Sequence, residues 1–497
     1  MDTNAQSMSE NLESLLSRCL SRSVTREEFS RLEMPLGMSE ASAWRMANLI
    51  RRASSVKLPF GMAANGKWHP DWYAPSRQFQ KLLDACTTAS ITNQDALDAL
   101  RSPEGRHIKI NLIATDCFAA LRDTGCALTR EALLGATLGL QTPSSDQERL
   151  ARNLFQVTLD SAGNGLRFEA ADDIALVYRR CIEGVRLPTA QPTTDRELSP
   201  DCLSVIDHVL RVTRELETLP GAIARMLAFL ELRPLPFANA FVGRMAFGEL
   251  LRAQGFTVLS YLPILEFLDS WQRGSSDRPG YQPAGHLSDA IQIIGESRDW
   301  TRFFEEVLAW LLDETGWLLR KLARMKLRRE RLEALLERDT TYTSRQHDVL
   351  VEALVHDDTE FTFAELMDRY GIVYSTAHSD LIGLSDDGFL QARRQGKRLF
   401  FIAAHDIHKR VHVFLRSVDE EMYARYFDRQ GKLVIADQKR TGHSVIGAEQ
   451  TEASRDKEDI RQFLPTVEPQ RRMALLRDFK HKTADSGRDP HSEEHVG

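Results

Sequence analysis

The chain has 497 residues, of which 42% are hydrophobic and 27% are charged, a balance typical of soluble globular proteins. Its formal net charge is −7, which excludes a uniformly basic nucleic-acid coat, so any contact with DNA must come from a local basic surface. The sequence has no stretch of about 18 uncharged apolar residues, and its N-terminus lacks the basic and apolar segments of a secretory signal. We therefore predict a cytoplasmic protein with no membrane segment.

The six cysteines are scattered along the chain, and no two of them have the CxxC spacing. They are Cys19, Cys86, Cys117, Cys126, Cys181 and Cys202. This distribution argues against a disulfide framework and against a zinc ribbon, and it suits a reducing compartment. We therefore expect free thiols and predict no metal site.

Composition and hydrophobic periodicity divide the chain into five predicted regions. They are an N-terminal helical region (1–183), a helical domain that ends in a long helix (184–338), a module of three helices and a hairpin (343–403), a helical extension (404–434), and a charged tail (435–497) that we expect to be largely disordered. The expected fold class is mainly α with a small β-hairpin. Residues 57–76 of the first region, rich in Gly, Pro and Trp, are interpreted as a structured loop.

The long helix that ends the second region carries apolar residues at a seven-residue spacing. The residues of this stripe are Leu318, Leu322, Met325, Leu332 and Leu336, with Arg329 in the gap. Such a stripe packs either on its own domain or on a second copy of the chain. A homodimer through residues 317–338 is therefore one of two open alternatives.

The stretch RPLPFANAFVGR, residues 233–244, interrupts an apolar helical segment. It resembles the signature of Fic-domain proteins, HPFxxGNGRxxR with an acidic fifth residue, over twelve positions without a gap. Pro234, Asn239 and Arg244 stand where that signature has Pro, Asn and its final Arg. The wider resemblance covers about residues 185–335 and implies a Fic-like helical domain.

The residues that the family uses for chemistry are replaced in this sequence. Arg233 stands at the catalytic His, Phe237 at the metal-binding carboxylate and Phe241 at the first phosphate-binding Arg, while alanines replace both glycines. The family transfers a phosphate-containing group from a nucleotide to a hydroxyl, which needs a base and a carboxylate for Mg²⁺. Arg stays protonated and Phe binds no metal. The resemblance therefore implies a catalytically degenerate domain without a cofactor.

Two other readings of this motif stay open. One is a divergent nucleotidyl or phosphoryl transferase that acts on protein hydroxyls and would require ATP and Mg²⁺. The other is a loop between two core helices that matches the signature by coincidence. Asn239 and Arg244 are candidates for a remnant anion site at a helix start, although such residues also cap helices.

Residues 343–403 follow the pattern of a winged helix-turn-helix, with Thr362 capping one helix, a turn at Gly371, and a hairpin after Gly388. The candidate DNA-binding residues lie on the next helix and at the hairpin tip. They are Ser375, Thr376, His378, Ser379, Arg393, Arg394, Lys397 and Arg398. Polar side chains on such a helix read base edges, and a basic wing contacts phosphates. The pattern resembles the winged helices attached to many Fic-like proteins.

Three carboxylates near this face, those of Asp380, Asp386 and Asp387, weaken the electrostatic case for DNA. Winged helices also serve as protein-contact modules, which is the alternative. The leading hypothesis is a bacterial-type regulator that binds DNA, with an unknown protein or effector bound by residues 1–183. The alternatives are the transferase and a protein-interaction scaffold.

Overall fold

A computed structural model describes residues 13–434 apart from several gaps. The gaps are 35–36, 65–66, 92–93, 102, 127, 129–141, 165–166, 187–197, 273–286, 356–358 and 396–397. The described chain is mainly helical with two antiparallel hairpins, which confirms the predicted fold class. The charged tail predicted at 435–497 lies outside the described residues. In the described part, no helix has the length and apolarity that a membrane span requires.

The N-terminal third is built from helices and one hairpin. The elements are α1 (13–21), α2 (Arg26–Ser30), α3 (Glu40–Ala53), β1 (Val56–Ala64), β2 (Lys67–Tyr73), α4 (Arg77–Ile91), α5 (Gln94–Arg101), α6 (Pro103–Asp123), α7 (Asp146–Asn164) and α8 (Ala171–Cys181). Side-chain caps define several starts, because the Thr25 hydroxyl accepts from the Glu28 N–H and Ser39 accepts from the Ser42 N–H.

The predicted loop at 57–76 is instead the β1–β2 hairpin, so this interpretation is corrected. The hairpin buries Leu58 and Phe60 on β1 together with Tyr73 on β2. The sequence signal was the Asn65-Gly66 pair, a typical two-residue hairpin turn, between two apolar runs. β2 also exchanges backbone hydrogen bonds of 2.8–3.1 Å at Trp72 with residues 298 and 300.

The central helices surround residues 233–244. They are α9 (Pro200–Arg214), α10 (Thr218–Leu232), α11 (Asn239–Ala253), a 3₁₀ turn (Leu259–Tyr261), α12 (Ile264–Gln272) and α13 (Leu287–Ser297). α10 and α11 approach closely because Gly243 has no side chain, and a Cβ there would lie 2.8 Å from the Phe229 Cβ. One hydrophobic core runs from Leu58 to Leu322, so packing continues across the predicted boundary at residue 184.

α14 (Thr301–Leu336) is a 36-residue helix that belongs to two hydrophobic cores. Leu318 and Leu322 pack in the first core, whereas Leu332 and Leu336 pack in the second. The apolar stripe is therefore buried within its own chain, as the own-domain alternative predicts. A homodimer through this stripe would need its leucines to be exposed, and they are buried.

The second core joins the end of α14 to the C-terminal helices. Its elements are α15 (Ser344–Val355), α16 (Phe363–Tyr370), α17 (Tyr374–Asp386), β3 (Leu390–Gln395), β4 (Arg398–Ala403), α18 (Ile407–Val418) and α19 (Glu420–Tyr426). Phe361, between α15 and α16, forms an antiparallel bridge with Phe401 on β4. The extension is two helices rather than one, because Asp419 caps α19 by accepting from the Met422 N–H.

Candidate functional site

Residues 233–238, the motif loop, connect the end of α10 to the start of α11. Arg233 and Ala238 flank it in the left-handed region, with φ of 46° and 59°. A residue with a Cβ occupies this region at a cost of about 1–2 kcal/mol. The Fic signature has glycine at position 238, which would adopt the same conformation without that cost. Position 238 thus has a backbone conformation that favours glycine, although the residue there is alanine.

The Asn239 side chain closes the motif loop on itself. Its Oδ1 accepts from the Leu235 N–H at 2.9 Å, and its Nδ2 donates to the Leu235 carbonyl at 2.7 Å. Both ends of the amide are therefore used by a backbone group four residues earlier. This contact fixes the loop shape before the first turn of α11.

The Arg244 guanidinium is likewise engaged inside the chain. Its Nε donates to the carboxylate of Asp116 on α6, and one terminal nitrogen donates to the carbonyls of Ser260 and Leu262 at 2.8 and 3.0 Å. Asp116 also accepts from the Leu265 N–H at 2.9 Å. These bonds tie α6, α11 and the start of α12 together. The anion-binding role of Asn239 and Arg244 stays a prediction, and these polar groups already have internal partners.

The other motif residues do not fit a nucleotide with Mg²⁺. Phe241 is 3% exposed and Phe237 packs against the core, so aromatic rings stand where the family has a cation and a carboxylate. Arg233 is exposed, and an arginine side chain cannot serve as a base that accepts a proton. Among the described residues no three His, Cys, Asp or Glu side chains cluster in a way that could hold a metal ion.

A cleft of about 790 Å³ opens where α10 ends, next to the motif loop. Its lining includes Trp68 from the hairpin, Arg211 and Arg214 from α9, and Leu232. Behind α9, Arg225 is 3% exposed and donates to the Thr213 hydroxyl at 3.0 Å. Burial and the charge of Arg214 lower the pKa of Arg225 to about 10. The lining of this cleft combines an aromatic side chain with charged side chains, and most of it comes from α9.

α17 presents the polar face that the sequence predicts. Ser375, His378 and Ser379 are exposed, whereas Thr376 is half-buried. The opposite face holds Ala377, Leu381 and Leu384 in the second core. The outward positions therefore follow the helical period, and three of the four predicted residues point to solvent.

Two further exposed residues at the start of α17 escaped the sequence analysis. Val373 is 66% exposed and Tyr374 is 55% exposed. The Tyr374 ring packs edge-on against Phe363 of α16, with centroids 5.2 Å apart. The signal for Tyr374 was its spacing of four residues from His378, which places both on one helix face.

The carboxylates that weaken the case for DNA are partly neutralised within the module. Asp380 is buried and accepts from Arg345 Nε at 2.8 Å. Asp387 accepts from the Tyr342 hydroxyl at 2.8 Å. Asp386 is exposed. Of the three, Asp380 forms an ion pair within the module, whereas Asp386 and Asp387 are both exposed.

The β3–β4 hairpin carries the basic residues that the sequence analysis assigns to a wing. Arg393 and Arg394 are exposed on β3, where Arg394 pairs in register with Leu399. Lys397 lies outside the described residues, as does the side chain of Arg398, although Arg398 begins β4. The structure thus places two of the four predicted wing cations at the surface beside α17.

The comparisons with known proteins leave the family open. No family model matches the chain, and no curated protein matches it. Among solved structures, a similar chain is a Fic family protein from Desulfovibrio desulfuricans G20, at 13% sequence identity and a TM-score of 0.40. The match covers 70% of this chain and 99% of that one. The relation to the Fic family therefore stays a prediction that rests on residues 233–244.

Proposed function

We propose that this protein is a DNA-binding regulator in which residues 343–403 act as a winged helix-turn-helix. The observation that carries the proposal is the outward polar face of α17 beside the exposed Arg393 and Arg394. A helix of this kind fits the major groove of B-DNA, and hydroxyl and imidazole groups contact base edges there. In this proposal the Fic-like region has a structural role in the regulator and does not perform a transfer reaction.

The element order around α17 supports this role. A helix, a single bridge, two helices joined by a tight turn, and a hairpin follow each other between residues 344 and 403. The turn is made by Gly371, whose φ of 62° favours glycine. The recognition helix and wing would then contact the same duplex, with the helix reading bases and the wing positioning the module.

The small number of cations predicts weak salt dependence. Four wing cations, Arg393, Arg394, Lys397 and Arg398, would give a slope of log K against log salt of roughly −3 to −4. The ion pair between Arg345 and Asp380 removes one carboxylate charge close to the DNA face. Specific binding would therefore depend on base contacts more than on net charge.

The motif loop supports the non-enzymatic part of the proposal. A transfer reaction needs a general base and a metal carboxylate, and the residues at those positions are Arg233 and Phe237. The anion-binding candidates Asn239 and Arg244 are bonded within the chain. No described contact favours the transferase alternative over a structural role for this loop.

The experiment selects duplexes from a random DNA pool with the full-length chain and then measures affinity against salt concentration. We expect selective binding, and the double variant Arg393→Ala/Arg394→Ala should weaken it for every sequence and reduce the salt slope by about 2. The matched control is Arg45→Ala/Arg52→Ala, which removes the same charge from the exposed side of α3. This control should retain most of the wild-type affinity.

Two results would contradict the proposal. Absence of duplex enrichment at low salt would favour the protein-contact alternative for residues 343–403. An equal loss in the α3 control would show that binding follows net charge rather than the wing.

A further inference from the structure

The start of α17 carries an apolar surface that stability does not explain. Val373 occupies the N-cap position, where no side-chain cap is formed, and it is 66% exposed. Val is among the least favourable N-cap residues, and an exposed side chain gains little from burial. The residue therefore contributes neither a cap nor much core packing.

The preceding helix, α16, has the side-chain cap that α17 lacks. Thr362 caps α16, and its hydroxyl accepts from the Glu365 N–H at 3.2 Å. A Ser or Thr at position 373 would do the same for α17. An exposed position that forgoes a stabilising cap is consistent with a site where activity competes with stability.

Tyr374 extends the apolar surface of Val373, and its ring is held in place. It packs edge-on against Phe363, at an interplanar angle of 69°, and lies 5.9 Å from the His378 ring. His378 in turn stacks on Phe363 with centroids 5.2 Å apart. The three rings fix an exposed apolar patch at the first turn of α17.

The chemistry of the major groove identifies a ligand for such a patch. Thymine presents a C5-methyl group there, and apolar side chains recognise it by contact. Residues at the N-terminal end of a recognition helix are the ones that approach base edges. We infer that Val373 and Tyr374 contact thymine methyl groups, so that α17 prefers T·A pairs opposite its first turn. This inference rests on the proposed DNA-binding function.

The test uses the full-length chain and a duplex enriched from the random pool. Thymidines are replaced one at a time by deoxyuridine, which removes the methyl group and leaves the hydrogen-bonding groups of the base unchanged. We expect affinity to fall about fourfold for each methyl group that the patch covers. Replacements elsewhere in the duplex should have little effect.

Variants of the patch should abolish this discrimination. Val373→Ala should bind the thymidine and deoxyuridine duplexes about equally at one position, and Tyr374→Ala should do so at an adjacent position. The control Val413→Ala makes the same change at a valine that is 62% exposed on α18, and it should discriminate like wild type. Val373→Ser removes both methyl groups and can cap α17, so a loss of discrimination there would not reflect misfolding.

The outcomes separate this inference from the function on which it rests. Equal affinity of the wild-type chain for both duplexes would overturn the inference and leave DNA binding intact. Discrimination that persists in both alanine variants would also overturn it, because other residues would then read the methyl groups. Failure to bind any duplex would overturn both the proposed function and the inference.

Discussion

The motif stretch 233–244 and the first turns of α17 both contain polar side chains, but the structure uses them in opposite ways. At the start of α11, the amide of Asn239 and the guanidinium of Arg244 are both hydrogen-bonded to partners within the chain. On α17, Ser375 and His378 are exposed to solvent. A match to a binding motif therefore says less about function than the partners that its side chains already have.

The largest effect should come from breaking the buried contacts of the motif region. Arg244→Met would leave the Asp116 carboxylate buried without its cation, which should lower the free energy of unfolding by about 3–5 kcal/mol. Urea denaturation measures this change. The control Arg233→Met, at an exposed position of the same motif stretch, should shift stability by no more than about 0.5 kcal/mol. A small effect at Arg244 would restore it as a candidate for anion binding.

The two cores should respond in opposite directions to pH. Burial raises the pKa of Glu305 in the first core to about 7. The stability that Glu305 contributes is therefore present at low pH and is lost as pH rises from about 4.5 to 7. Burial, followed by the charges of Arg328 and His408, lowers the pKa of His412 beside the second core to about 4. Its contribution is lost as pH falls from about 6.5 to 4. Each of these pKa shifts changes the free energy of unfolding by at most about 3 kcal/mol.

These pH effects can be measured region by region. All seven tryptophans lie between Trp44 and Trp317, and the second core begins at Leu332. Their fluorescence therefore follows the part of the chain that contains the first core, whereas circular dichroism follows the helices of both. Glu305→Gln should remove the pH dependence of the fluorescence transition, and His412→Gln should remove that of the remaining helical signal. Transitions that move together with pH in the wild-type chain would show that the two cores unfold as one unit.

A smaller effect tests the strained backbone of the motif loop. Ala238→Gly should raise the free energy of unfolding by about 1 kcal/mol, because glycine adopts the φ of 59° without a Cβ penalty. Ala240→Gly is the comparison within the same motif, since Ala240 lies inside α11, where glycine should destabilise by about 0.5–1 kcal/mol. Destabilisation by both changes would contradict the left-handed conformation at Ala238.

The smallest effect concerns the cap of α17. Val373→Ser should stabilise the chain by about 0.5–1 kcal/mol, because the hydroxyl accepts a backbone N–H that has no side-chain acceptor. The same variant should bind DNA more weakly if the apolar patch contacts bases. Thermal unfolding measures the change in stability, and a binding assay measures the change in duplex affinity. Both are measured on one preparation. A gain in both stability and affinity would contradict a trade-off at this residue.

Several elements could be predicted because their signals are local. Thr362 before an acidic residue three positions later marks a helix start, and it caps α16 in the structure. The break at residues 233–238 and the hairpin at 390–403 follow from Pro and Gly punctuation in the sequence. The β1–β2 hairpin was missed because its apolar residues are interrupted by Pro59 and Pro70, which argue against a strand.

The sequence by itself determined the helical class, the position of the motif loop, and which side chains stand at the motif positions, because residue identity decides what each group can donate, accept or coordinate. Only the tertiary structure decided how the remaining polar groups are used. Asp116 reaches Arg244 from 128 residues away, and the leucines of α14 are divided between two cores. Such pairings depend on how helices pack, and no local pattern specifies which distant side chain a buried charge meets.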